Sequence, residues 1–261
     1  MFRKNQCGER WDMLKSERRE LILELLQSNK SMLPKELAKR AFSSYSSVRR
    51  DLEELENEGF VIREYGRVQL ANNHPMLVAY PVRIGKSSAQ KQLMAKKAAA
   101  LVKEGDTIFI DASSSCSYFA KELVSKKGIT VITNNVEIVY FMTQYNVKVL
   151  CSGGVQTEPN RFALVGSDAE RAFAKVHADW MFFSTRSLTD DGQLFDVHYD
   201  ETAIRKTMLK NAEKRVFLCD SSKIGTISTY KQCTLAEVDI LVSDSAVAAG
   251  YKERFKGLTV L

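Results

Sequence analysis

The run Ser44-Tyr45-Ser46-Ser47-Val48-Arg49-Arg50-Asp51-Leu52 constrains this chain more than any other. Val48, Leu52 and Leu55 recur at i, i+4 and i+7, the spacing of one buried helical stripe. Ser44 stands where its hydroxyl caps the amides of the first turn. The opposite face carries Tyr45, Ser46, Arg49 and Arg50 near the N-terminal end. A helix that buries one side and presents such groups at its start has the form needed to enter a DNA major groove. There arginine bonds guanine in bidentate fashion, and hydroxyls reach phosphates or base edges. The competing reading is a three-helix packing unit whose arginines are solvated surface.

The flanks favour the groove reader. Leu14, Leu21, Ile22, Leu25 and Leu26 line one face of a first amphipathic helix. Leu33, Leu37 and Ala38 line a second, with Pro34 in its first turn, where a missing amide costs nothing. Gly59 marks the end of the third helix. Phe60-Val61-Ile62 and Val68-Gln69-Leu70 then read as strands joined by a turn at Tyr65-Gly66. Three helices followed by a hairpin predict a winged helix-turn-helix. Charge only permits this reading: the first 75 residues carry a net +2 of the chain's +6, and helical placement of the arginines carries the inference. A more basic run, Arg83, Lys86, Lys91, Lys96 and Lys97, reads as a solvated helix face.

With 261 residues, 44% hydrophobic and 27% charged, the chain has room for two globular domains. The expected divisions are an N-terminal extension over 1–15, the winged helix over 16–70, a linker over 71–89 and a second domain over 90–261. Ala71-Asn72-Asn73-His74-Pro75 and Gly85-Lys86-Ser87-Ser88 supply the breaker signals of the linker. No apolar run has the length of a membrane span, and the first residues lack the apolar stretch of a signal peptide. Cys7, Cys116, Cys151, Cys219 and Cys233 form no Cys-x-x-Cys pair. They read as reduced thiols of a cytoplasmic protein rather than a disulfide framework or zinc site.

Beyond residue 90 short apolar runs alternate with helical stretches. Helices are expected over 90–103, 114–126 and 136–144. Strands are expected at Thr107–Ile110, Ile129–Ile132, Val147–Leu150, Trp180–Phe183, Val216–Leu218, Val238–Val242 and Leu258–Leu261. Such alternation predicts an α/β fold with a mostly parallel sheet covered on both faces.

Ligands of such sheets bind outside the carboxyl ends of the strands. The first strand ends in Asp111-Ala112-Ser113-Ser114-Ser115, whose hydroxyls and helix-opening amides suit a phosphate. Thr133-Asn134-Asn135 ends the second, and Cys151-Ser152-Gly153-Gly154 the third, where glycine permits a tight turn or close approach. Asp220-Ser221-Ser222-Lys223 closes a later strand with a cation. Each is equally ordinary turn chemistry; their recurrence in one sheet points to a site. His74, His177 and His198 show no ligand spacing, so neither metal nor cofactor is expected. Asp190, Asp191 and Asp196 read as a solvated loop. Glu201 opens a helix, where a carboxylate favours the macrodipole.

Residues 16–66 resemble the DNA-binding domain of the DeoR family of bacterial transcriptional regulators, through Ser44, Ser47, Val48, Arg49-Arg50-Asp51-Leu52, Leu55 and Gly59. Residues 90–258 resemble that family's sensor domain, related in fold to ribose-5-phosphate isomerases and CoA transferases. The matching residues there are Gly105-Asp106-Thr107-Ile108, Asp111 with its serines, Thr133-Asn134, Gly153-Gly154, Arg161 to Gly166, Glu201 and Asp220-Ser221-Ser222-Lys223. Two departures stand out: Tyr65-Gly66-Arg67 replaces a paired glycine in the wing, and Ser113-Ser114-Ser115 replaces a glycine followed by hydroxyl residues. The resemblance implies a regulator, most simply a repressor of sugar catabolism, acting as a homo-oligomer on double-stranded operator DNA. Tyr45, Ser46, Ser47, Arg49, Arg50 and Arg67 would meet DNA. Asp111, Ser113, Ser114, Ser115, Thr133, Asn134, Gly153, Gly154, Glu201 and Lys223 would hold a phosphorylated sugar. The alternative is a sugar-phosphate isomerase or transferase with an accessory helical domain. That activity needs a general base beside the substrate carbon, and no carboxylate pair fixed on strand ends is evident.

Overall fold

A computed structural model describes residues 15–29, 31–57, 60–70, 80–85, 87–157, 160 and 162–261. Residues 1–14 of the N-terminal extension (Cys7 and Leu14 among them), Gly59, residues 71–79 of the expected linker (His74 among them), Lys86 and Arg161 lie outside the described residues. The chain divides into two units, 1–86 and 87–261.

The first unit is a winged helix. Helix α1 (Lys15–Ser28) buries Ile22, Leu23 and Leu26, and α2 (Pro34–Arg40) buries Leu37 and Ala38. Leu33 departs from expectation. It precedes α2 and stays exposed, its N–H donating to the Glu36 carboxylate at 2.9 Å. Helix α3 (Tyr45–Asn57) seals the core with Val48, Leu52 and Leu55, all essentially inaccessible. Strands β1 (Val61–Glu64) and β2 (Arg67–Leu70) pair antiparallel around Tyr65 and Gly66, at φ 51° and 74°. Positive φ at both central residues is the two-residue turn that matches strand twist. Met32 pairs with Val68 by bonds of 2.8 and 2.7 Å, tying the α1–α2 connection to the wing. Helix α4 (Tyr80–Gly85) lies inside the segment expected to be a linker. Tyr80 and Ile84 recur one turn apart and Tyr80 is buried, a packing signal that outweighs the breakers around it.

The second unit is a three-layer α/β fold. In chain order its elements begin with α5 (Ser88–Ala99), β3 (Thr107–Ile110), α6 (Ser114–Glu122), β4 (Thr130–Thr133), α7 (Val136–Met142) and β5 (Lys148–Cys151). Then follow β6 (Val155–Gln156), β7 (Leu164–Val165), α8 (Ser167–Ala174), β8 (Ala178–Phe183), β9 (Ser187–Leu188), β10 (Gln193–Asp196) and α9 (Tyr199–Lys210). The chain closes with β11 (Ala212–Cys219), β12 (Tyr230–Thr234), β13 (Ile240–Ser243), α10 (Ala249–Arg254) and β14 (Thr259–Val260). A seven-stranded parallel sheet runs in the order β14-β13-β11-β8-β3-β4-β5.

Adjacent residues of the inner strands β3, β4, β8, β11 and β13 serve opposite cores. Ile108, Ile110, Val131, Phe182, Val216 and Leu218 pack toward α5, α6 and α7. Phe109, Ile132, Met181, Phe183, Phe217 and Leu241 pack toward α8 and α9. Burial on both faces explains why these strands read as continuous apolar runs.

Several expectations need correction. Helix α6 stops at Glu122, before the turn at Gly128, whose φ is 69°. Lys91, expected on a solvated face, is buried in α5. Asp196, expected in a solvated loop, is a buried residue of β10. The hairpin β6–β7 and the antiparallel sheet β12-β10-β9 were not anticipated; their strands are mostly too short or too polar to register as apolar runs.

Candidate nucleic-acid interface and ligand site

In the winged helix, the start of α3 is organised by Ser44. Its hydroxyl accepts from the Ser47 N–H at 3.1 Å and lies 2.9 Å from the hydroxyls of Ser46 and Ser47. Tyr45, Ser46, Arg49 and Arg50 are exposed on the face away from the core. Arg49 is engaged by Glu53 one turn on, at 3.0 Å, an exposed pairing worth little by itself. Arg50 has no side-chain partner among the described residues. Asp51, next in the motif, faces the opposite way: it is 1% exposed and gripped by Arg18 of α1. At the wing, Arg67 Nε donates to the Ser31 hydroxyl at 2.8 Å and its Nη2 to the Ser31 carbonyl at 2.9 Å. Its charge is therefore held against the α1–α2 connection at Ser31. Tyr65 projects from the tip, fully exposed.

In the α/β unit, β3 leads outward to β4 and β5 on one side, and the chain later returns as β8 on the other. The β3/β8 boundary is thus the switch point, where the strand ends open a crevice. Asp111 ends β3 and is buried there. Its carboxylate accepts from the N–H of Ser113 at 3.0 Å and of Ser184 at 3.3 Å. Ser113 caps α6, accepting from the Cys116 N–H at 3.3 Å, and Ser114 and Ser115 follow, buried, in the first turn. Lys223 reaches into the same place. Its ammonium donates to Ser184 Oγ at 2.6 Å and Ser115 Oγ at 3.4 Å, and lies 3.4 Å from Asp220. Burial alone would raise the Asp220 pKa; Lys223, the Ser222 hydroxyl and Lys91 overcome it and hold the carboxyl below the ordinary value.

Behind this crevice lies a buried guanidinium. Arg205 of α9 is 3.5 Å from Asp111, 2.7 Å from Asp196 and 3.9 Å from Glu201, and donates to the Ser184 carbonyl at 3.3 Å. Its Nε donates to Gln232 Oε1 at 3.2 Å. Burial disfavours this charge, but Asp196, Asp111 and Glu201 more than compensate and raise its pKa. Glu201 thus faces inward, and its position near a helix start is incidental.

A third group lies at the end of β4. Thr133 Oγ1 accepts from the Asn135 N–H at 3.1 Å, and Asn135 caps α7 by accepting from Glu137 N at 2.9 Å. Asn134 donates to the Leu164 carbonyl at 2.9 Å, while its Oδ1 is buried with no partner among the described residues. Asn160 repeats the pattern: Nδ2 donates to the Ala112 carbonyl at 3.1 Å, and Oδ1 has no partner among the described residues. Unfilled buried acceptors cost free energy unless water or a ligand satisfies them.

The structure therefore brings Asp111, Ser113, Ser115, Glu201 and Lys223 into one connected network, with Ser114 beside it in the α6 first turn. Thr133 and Asn134 stand at the adjacent strand end. Gly153 and Gly154 have no described hydrogen bond into that network. Gly154 has a packing reason of its own: at φ 111°, a Cβ there would lie 2.5 Å from the Val165 carbonyl. Sequence reasoning missed Ser184, Arg205, Asp196, Gln232 and Asn160. A signal existed for Arg205, which lies four residues from Glu201 and between Ile204 and Met208 on the apolar side of α9. The thiols Cys219 and Cys233 are pushed up to about 12, chiefly by burial, and Cys116 also rises for that reason.

Among the described residues no helix is long and apolar enough to cross a membrane. Residues 18–74 match the model of the DeoR-like helix-turn-helix domain, and residues 86–245 that of the DeoR C terminal sensor domain. Over 245 residues the chain is 31% identical to the HTH-type transcriptional regulator GolR of Listeria innocua, covering 94% of this chain and 96% of the relative. It is 27% identical over 233 residues to the HTH-type transcriptional repressor GlcR of Bacillus subtilis, covering 89% of each. Among solved structures, ribose 5-phosphate isomerase A of Methanocaldococcus jannaschii aligns with a TM-score of 0.40 at 20% identity, over 53% of this chain and 55% of that one.

Proposed function

Because this chain belongs to the DeoR family of DNA-binding transcriptional regulators, we propose that it is a cytoplasmic repressor of a sugar-catabolism operon, released from its operator by a phosphorylated sugar. On this reading the start of α3 enters the major groove. Arg49 and Arg50 meet base edges or phosphates, Tyr45, Ser46 and Ser47 support them, and Arg67 serves the DNA backbone from the wing. Reading two half-sites requires at least two copies, so the acting species is a homo-oligomer, a dimer or higher.

The observation that carries the ligand assignment is the position of Lys223. Its ammonium stands at the switch point beside the α6 N-terminus, within reach of Ser115 and Ser184. A phosphate there would exchange those two hydroxyls for charge-assisted bonds and gain the α6 amides. The Oδ1 atoms of Asn134 and Asn160, without partners among the described residues, would accept from sugar hydroxyls, as would Glu201. Thr133 and the backbone at Gly153 and Gly154 would complete the wall. Asp111 and Arg205 act as braces, since their polar atoms are already engaged with each other and with Ser184. Release needs only that the sugar phosphate bind the DNA-competent arrangement more weakly than the other.

A thermal-shift screen of sugar phosphates beside their parent sugars tests this reading, because a ligand of the folded state raises apparent stability. The expected hit is a phosphorylated sugar whose parent is inactive and which releases the protein from its promoter in a gel shift. A parent sugar that works equally well would overturn the phosphate assignment.

A further inference from the structure

A second cleft opens beside α9, and its lining does not include Lys223. It encloses about 450 Å³ and is lined by Lys206, Leu209, Lys210, Arg215, Gln232 and Glu237. Lys206 and Lys210 stand one helical turn apart on α9, both exposed, with no acidic partner among the described residues. Arg215 contributes a third cation. Its Nε donates to the Leu209 carbonyl at 3.0 Å and its Nη1 lies 3.7 Å from Asp239, which leaves Nη2 without a described hydrogen bond. Gln232 is 4% exposed, and its Nε2 is buried with no partner among the described residues. The other end of that amide is occupied, since Oε1 accepts from Arg205. The side chain therefore cannot flip to satisfy its nitrogen without giving up the guanidinium.

A buried donor left unmade is costly, and here it belongs to a cleft rimmed by three cations. Glu237 opposes them, but its carboxylate is occupied in part by the Thr234 N–H at 2.8 Å. Two lysines at i and i+4 present their charges on neighbouring positions of one face, a spacing that serves two anionic groups better than one. We propose that this cleft is a binding site for a small polyanion, bearing phosphate or carboxylate groups, separate from the site at the strand ends. An anionic oxygen accepts from Gln232 Nε2, Lys206 and Lys210 neutralise the remaining charge, and Arg215 closes the side. Because Gln232 also orients Arg205, which braces Asp111, the two sites share one buried guanidinium.

Isothermal titration of the full-length protein with pyrophosphate and with citrate, at constant ionic strength, tests the proposal. Three variants accompany the wild type: Lys206→Gln with Lys210→Gln, Gln232→Glu, and Lys223→Ala. Gln232→Glu keeps the oxygen that accepts from Arg205 and replaces only the donor. The double-lysine variant changes exposed side chains and so retains the fold, which circular dichroism checks. The expected result is a binding event with at least one probe that survives Lys223→Ala. That event weakens at least tenfold in the double-lysine variant and in Gln232→Glu. Binding to pyrophosphate alone assigns a phosphate ligand, and binding to citrate alone a carboxylate. The proposal is overturned if neither probe binds the Lys223→Ala protein, or if the double-lysine variant binds as the wild type does. An event abolished only by Lys223→Ala would belong to the strand-end site and leave the regulatory reading standing.

Discussion

Arg18 and Asp51 form a bidentate ion pair between α1 and α3: Arg18 Nε grips one carboxylate oxygen and Nη2 lies 3.2 Å from the other. Asp51 is almost wholly buried and Arg18 nearly so. Thus the acidic member of the Arg49-Arg50-Asp51 triplet points inward, and it fixes the rotation at which its two basic neighbours face solvent. Removing one partner of a buried pair strands the other charge, at about 3–5 kcal/mol. Asp51→Ala is expected to destabilise the winged helix by an amount near the lower end of that range, because Arg18 keeps some water. Hydrogen exchange of the α3 amides reads this unit separately from the rest of the chain. Unchanged protection would remove the pair from the account of the fold.

Arg50 and Arg49 are expected to differ in degree. Among the described residues Arg50 has no partner to give up, whereas Arg49 must leave Glu53 to reach DNA. Either alanine substitution should cost operator affinity by about 1–3 kcal/mol where the lost contact reads a base, with Arg50→Ala the larger, and neither should alter folding. Gel-shift titration at one salt concentration measures both. Wild-type affinity in the two variants would remove α3 from the groove.

Lys223→Ala should abolish the response to the sugar phosphate found by the thermal-shift screen, with operator binding by the ligand-free protein retained. Calorimetry gives the first quantity and a gel shift the second. Intact ligand affinity in the variant would place the phosphate elsewhere.

Asp220 supplies a pH test. Its carboxyl is held below its ordinary value of 3.8 because Lys223, the Ser222 hydroxyl and Lys91 outweigh burial. A carboxyl depressed on folding adds stability above its unfolded pKa and loses it as the pH falls through the folded one. Asp220→Asn should therefore be less stable than wild type at pH 6. That difference should shrink as the pH is lowered through and below about 4, the unfolded range for Asp. Urea unfolding at pH 6 and pH 3 decides it; a constant difference would mean the charge of Asp220 is not what Lys223 holds.

Much of this architecture was legible because its signals are local. The i, i+4, i+7 stripe of Val48, Leu52 and Leu55 is the same whether or not the rest of the chain exists. So is the run Thr107-Ile108-Phe109-Ile110, which says strand because a doubly covered sheet wants apolar residues on both faces. Polar residues at Asp111, Thr133 and Asp220 marked strand ends for the same reason, since they stand where those runs stop. The hairpin β6–β7 left no such mark, because two-residue strands have no periodicity to read.

The sequence by itself determined the winged helix, the parallel sheet and the places where its strands end. Only the tertiary structure decided which charged residues lie inside. Asp51, Lys91, Asp196, Glu201 and Arg205 look in sequence like surface groups, because isolated charges are seldom buried without partners. Their partners come from other elements or other turns: Arg18 for Asp51, and Asp111 with Asp196 for Arg205. Burial of a charge is a property of a pair brought together by the fold, and no window of sequence contains both members of pairs set 33 or 94 residues apart.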